Sequence, residues 1–110
     1  MKSSIAIISN EGEFCMNIAS MSSSLPCDIV FLEKHRDIIN LNIECVIIDL
    51  NDSSIRPFDI VKGNYVLVGV MNKLNKRIEI KARDAGYNIT FTKKMFLINF
   101  TTIIKQLANV

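Results

Sequence analysis

The sequence predicts an α/β fold, an open doubly wound parallel sheet of five strands with helical crossovers. Three observations lead there. Five short apolar runs recur, at residues 4–9, 28–32, 45–50, 65–71 and 89–92. Three of them, Ile5-Ala-Ile-Ile8, Val46-Ile-Ile48 and Val66-Leu-Val68, are nearly continuous in aliphatic residues, as in strands covered by helices on both faces. Between the runs, apolar residues return at helical spacing.

The elements follow in order. After the first run, Phe14, Ile18, Met21 and Leu25 stand at i, i+4, i+7 and i+11, and Pro26 ends that helix. The second run leads into residues 33–42, which hold one or two helical turns around Ile38 and Ile39. After the third run, Pro57 at a first helical position and Gly63 just past a last one frame barely two turns. The fourth run precedes a stripe of Leu74, Ile78, Ala82 and Ala85, opened by Asn72 as a cap and closed by Gly86. The fifth is followed by Leu97, Phe100, Ile104 and Leu107, a helix running almost to the chain end. Each crossover is expected to be right-handed. With no repeat or linker, residues 1–110 are expected to form one domain.

Composition narrows the function. At 49% hydrophobic the 110-residue chain is too apolar for disorder, and no apolar run approaches the ~20 residues of a membrane span. The four-residue apolar stretch at Ile5–Ile8 is no signal peptide, so a cytoplasmic setting is expected. Cys15, Cys27 and Cys45 are an odd set without CxxC, and His35 has no cysteine at zinc-ligand spacing; no structural metal is expected. Cys27 and Cys45 flank strands and read as structural, Cys15 as a small helix residue, and His35 as a surface residue. Net charge is only +2, but residues 1–61 carry four Lys/Arg against nine Asp/Glu, and residues 62–110 nine against two. The halves are thus −5 and +7, either chance on solvated faces or an acidic site and a basic contact surface.

In such a sheet, chemistry sits beyond the carboxyl ends of the strands. Those ends carry Ser9, Asn10 and Glu11; Asp49; Val70 and Met71; and Lys93 and Lys94. Asp49 interrupts an apolar run, and a buried carboxylate needs a partner. Ile5-Ala-Ile-Ile-Ser-Asn-Glu11, Val46-Ile-Ile-Asp49-Leu and Ala85-Gly86-Tyr-Asn-Ile-Thr-Phe-Thr-Lys93 together resemble the receiver domain of bacterial response regulators. The resemblance implies a flavodoxin-like sheet in the order 2-1-3-4-5, with Asp49 as phospho-acceptor and Lys93 or Lys94 as the pocket lysine.

The departures from that family bear on function. Ser9-Asn10 stands where receivers carry the adjacent acidic pair that holds Mg²⁺, with only Glu11 as a nearby carboxylate. Val70 replaces the hydroxyl residue and cannot donate its hydrogen bond. No proline follows the lysine, and the segment after Asp49 is short, truncating the third helix. Phosphoryl transfer needs its charge neutralised. The expected reading is therefore an atypical receiver, or pseudo-receiver, with weak or absent phosphorylation, no cofactor, and Lys93 paired directly with Asp49. It would act through a protein partner or effector domain. A partner face is expected on the fourth helix, fifth strand and fifth helix: Lys73, Arg77 and Lys81 as a basic row, Phe96 and Ile103 as an exposed apolar patch that allows a homodimer.

Two alternatives stay open. One is a phospho-accepting receiver that uses Asp49, with Glu11 as substitute Mg²⁺ ligand. The other is a small flavodoxin-like enzyme or nucleotide binder, against which stands the absence of a glycine-rich phosphate loop. The basic row lacks interleaved aromatics, so nucleic acid is not the expected partner, and neither is a membrane.

Overall fold

The structure is a computed structural model that describes residues 3–38, 42–60 and 63–107, and within them every side chain except those of Ser3 and His35. The surface reading of His35 and the placement of Ile39 fall outside the described residues. Five strands form one sheet: β1 (Ser3–Ile8), β2 (Cys27–Leu32), β3 (Cys45–Asp49), β4 (Val66–Met71) and β5 (Ile89–Thr92). Their order is β2-β1-β3-β4-β5 and every pairing is parallel, as expected.

The continuous aliphatic runs do what a doubly covered strand requires. Side chains alternate between faces along a strand. Ile5, Ile7, Cys45, Ile47, Val68 and Val70 therefore enter one core, and Ala6, Ile8, Val46, Ile48, Leu67 and Met71 the other. The first core is closed by α1 (Gly12–Ser22), α3 (Lys93–Ile98) and α4 (Phe100–Leu107), through Phe14, Ile18, Phe96, Phe100, Ile103 and Ile104. The second is closed by Ala82 of α2 (Lys76–Asp84), by Tyr87, and by Ile38, Ile43 and Ile60 from the loops. None of the helices among the described residues is long and apolar enough to cross a membrane.

Local chemistry moved several boundaries. The second crossover is a 3₁₀ turn, His35–Ile38, that buries Ile38. The third crossover holds no α-helix among its described residues. A 3₁₀ turn at Ser53–Ile55, capped by Asp52, ends at Arg56 in the left-handed region (φ 56°, ψ 58°). The residue before a proline is disfavoured from the right-handed helical region, so Pro57 ends one turn instead of opening a helix. Its carbonyl accepts the Tyr87 hydroxyl at 2.7 Å.

Asn75, not Asn72, caps α2: its Oδ1 accepts the Ile78 N–H at 3.1 Å. Leu74 consequently precedes the helix and is 74% exposed instead of joining the buried stripe. Gly86 closes the helix as expected, with φ at 102°.

The last helix is two. Asn99 (φ −106°, ψ 19°) ends α3, and both its backbone N–H and its side-chain amide nitrogen donate to the Met95 carbonyl at 3.1 Å. The expected exposed patch of Phe96 and Ile103 is corrected as well, since both are buried. Phe96 is the hub of an aromatic cluster, with ring centroids 5.6 Å from Phe100, edge-on, and 6.1 Å from both Phe14 and Phe91. A helix that turns two adjacent rows toward a sheet buries both. The exposed apolar side chains of this region are Met95 and Ile98. Phe96→Ala should therefore lower the unfolding free energy by about 3–5 kcal/mol in urea titration, and Ile98→Ala by under about 0.5 kcal/mol. Comparable losses from the two would contradict this packing.

Candidate functional site

Strand register assembles the site. Ile8 of β1 lies opposite Ile48 of β3, so Ser9 and Asp49 are the next residues outward on adjacent strands. Asp49 lies opposite Val70, and Met71 opposite Thr92. Thr92 ends β5 and caps α3, its hydroxyl accepting the Met95 N–H at 3.2 Å, so Lys93 is the first residue of that helix. Glu11 is the residue before α1, and its carboxylate makes no capping bond to that helix.

These placements converge on one cation. Lys93 Nζ lies 2.8 Å from Asp49 Oδ2 and bonds Glu11 Oε2 as well. Asp49 and Lys93 are the buried charged side chains of the described core. Asp49 Oδ2 also accepts the Ser9 hydroxyl at 2.9 Å, and Oδ1 accepts the Asn51 N–H at 3.0 Å. The same ammonium lies 5.5 Å from the centroid of the Phe14 ring, an added cation–π contact. Burial opposes a charge on Lys93, but the hydrogen bonds and charges of Asp49 and Glu11 outweigh it. Its pKa stands above the ordinary lysine value of 10.5.

Above this bridge opens a cleft of about 450 Å³. Asn10, Glu11, Asp49 and Lys93, each singled out in the sequence, line it. Asn51, Asp52, Ser53 and Asn72 complete it, and sequence reasoning did not place them there. The signal available for Asp52 was its position three residues beyond Asp49, in the loop leaving the same strand. Its carboxylate accepts the Asn10 amide at 2.7 Å, and the Ser54 hydroxyl first, then Asn10, hold its pKa below the usual value. Asn72, expected as a helix cap, instead donates its N–H to Asn51 Oδ1 at 2.7 Å. Val70 is buried in the core beside Asp49 and takes no part in lining the cleft.

The remaining candidates separate. Lys94 is exposed, so Lys93 is the pocket lysine. Arg77 and Lys81 are exposed on α2, Lys81 with its ammonium 5.6 Å from the centroid of the Phe58 ring. Lys73 is exposed but lies before the helix, so the expected basic row is helical only from Lys76 onward. The three cysteines are free thiols. Burial raises the pKa of Cys15 and Cys27, and pushes Cys45 up to about 12. Such thiols are not activated nucleophiles.

A divalent ion fits this donor set poorly. Asp49 Oδ2 and Glu11 Oε2 share a resident ammonium, and Asp52 is turned onto Asn10 and Ser54. Among the described residues no three His, Cys, Asp or Glu side chains are grouped to hold a metal ion. Mg²⁺ requires several hard anionic oxygens in near-octahedral array.

No family model and no curated protein sequence matches the chain. Solved structures do. A CheY-like protein, tadZ, from Pseudomonas aeruginosa superposes with a TM-score of 0.74 at 16% identity, over 100% of this chain and 96% of its own. A response regulator from Thermotoga maritima gives 0.70 at 10% identity, with both chains covered in full. A response-regulator receiver domain from Rhodospirillum rubrum gives 0.69 at 19% identity, over 96% and 90%. The chain thus has the receiver fold, the open flavodoxin-like sheet with its crevice at the carboxyl ends of β1, β3 and β5.

Removing the ammonium leaves a buried carboxylate unpaired. Lys93→Met should therefore destabilise the protein by about 3–5 kcal/mol in urea, and Lys93→Met with Asp49→Asn should recover part of that loss. A group whose pKa is raised on folding stabilises fully below its unfolded pKa, and loses that contribution as pH rises through the folded one. Wild-type stability should fall above the ordinary lysine range, with a component that Lys93→Met lacks. Parallel pH profiles for the two proteins would refute the pairing.

Proposed function

We propose that this chain is a receiver-like signalling module of a bacterial two-component or other regulatory system, working by protein–protein contact and not by phosphoryl transfer or other catalysis. The Lys93 ammonium bridging Asp49 and Glu11 carries the reading. A phosphoryl group arriving at Asp49 would meet a carboxylate whose oxygens are all engaged, next to the uncharged Ser9 and Asn10. It would also meet Val70, which has no hydroxyl to offer. Charge accumulating in such a transfer would be met by one lysine alone. The cytoplasm is the setting this proposal assumes, and residues 1–110 its single unit.

The contact face we assign is α2, β5 and α3. It presents Arg77, Lys81 and the preceding Lys73, together with the exposed apolar Leu74, Ile80, Ile89, Met95 and Ile98. Where such apolar side chains form a contiguous patch rimmed by polar residues, they mark an interaction surface.

A second reading draws on one observation: the Glu11 carboxylate does reach the pocket, where it could serve as a substitute metal ligand in a phospho-accepting receiver. Intact-mass spectrometry after incubation with acetyl phosphate and Mg²⁺ separates the two. Unmodified protein is the expected result. A single phosphoryl adduct that Asp49→Asn abolishes would establish the second reading instead.

A further inference from the structure

The charge asymmetry of the two half-sequences becomes a spatial one through the sheet order. β2, β1 and β3 come from the acidic half, and β4 and β5 from the basic half. The order β2-β1-β3-β4-β5 thus places one half at each edge. Asp28 on β2, Glu33 just after it and Asp37 in the next turn are exposed at one edge, as is Phe31 (43%), which strand alternation turns to the other face of β2 from Asp28. At the other edge α2 turns Ala82 inward. On the outward side of that helix lie Lys76, Arg77 and Asp84, around Ile80, which is 41% exposed, with Arg83 on the flank, so cations outnumber the one carboxylate there. Each edge therefore offers an exposed apolar side chain and an excess of one charge, of opposite sign at the two edges.

That arrangement decides which contact with another copy is favourable. A two-fold symmetric contact through α2 would bring the same patch against itself, with Lys76, Arg77 and Arg83 outnumbering the single Asp84 on each side. Like charges so opposed repel. A head-to-tail contact instead sets this patch against Asp28, Glu33 and Asp37 of a second copy, and covers Ile80 and Phe31 together. Lys34 and Arg36 on the acidic edge weaken this complementarity without reversing it, so the contact is reversible and sensitive to salt.

We propose that the basic α2 face docks onto the acidic β2 edge of a second copy of this chain, giving open head-to-tail association. This rests on the reading of α2 as a contact face and specifies its occupant.

Sedimentation velocity over a protein concentration series tests it. At ~0.02 M salt the weight-average mass should rise with concentration, and at ~0.5 M salt the association should weaken at least about tenfold. Arg77→Gln with Arg83→Gln should remove association, and so should Glu33→Gln with Asp37→Asn. Each double variant keeps one intact face, so a mixture of the two should form a dimer that grows no further. Circular dichroism of each variant verifies its fold, all four positions being exposed. A wild-type monomer at every concentration and salt overturns the proposal, as does a dimer that neither pair of substitutions alters. A mixture that fails to associate also counts against it, since only a heterologous contact predicts complementation. These outcomes leave the acetyl phosphate result untouched, so the failure of one reading is distinguishable from the failure of the other.

Discussion

One ammonium group holds the functional end of this molecule together. Lys93 reaches from the start of α3 to Asp49 at the end of β3 and to Glu11 ahead of α1, so three chain segments distant in sequence share a single buried charge. Taking these ions out of water is costly, and the pairing repays that only because the remaining valences are filled. Ser9 and the Asn51 backbone satisfy Asp49, and the Phe14 ring lies beside the ammonium. The neutral Ser9 belongs to this logic. A carboxylate at that position would add an anion beside a cation already shared by two.

The rest of the fold supplies the geometry that the pairing needs. Alternation along β1, β3 and β4 divides the aliphatic residues between two cores, which fixes register, and register puts Ser9 next to Asp49. The face beneath the lysine is the more aromatic of the two. Phe14, Phe91, Phe96 and Phe100 pack there and hold α1 and α3 against the sheet, close enough for their termini to meet.

Much of this was legible in the sequence, and for identifiable reasons. Strands buried on both faces leave unbroken aliphatic runs, so all five were found to within a residue or two, and a carboxylate ending such a run pointed to Asp49. Short polar signals were harder to read. Asn72 and Asn75 are equally good caps by residue type, and only the tertiary bond from the Asn72 backbone to Asn51 reveals which one starts the helix. Pro57 suits a first helical turn as well as it suits a chain reversal. Phe96 and Ile103 lie off the main helical stripe, and their burial depends on how broadly α3 and α4 meet the sheet, which helical spacing does not encode. Asp52 was overlooked because its one signal was position, three residues past Asp49 in the loop leaving the same strand, and position alone does not separate a cleft-facing carboxylate from a solvated one.

The junction between β5 and α3 has a mechanical consequence. Thr92 is both the last residue of the strand and the cap of the helix, so no slack separates Lys93 from either. A lysine tethered by a loose loop could swing away and leave the rest at ease. Here the backbone of Lys93 is fixed and only its four-carbon stem can carry the ammonium off its carboxylates; a partner that displaces the residue itself must turn the first coil of α3 as well, and with it Phe96, the hinge pin of the aromatic layer.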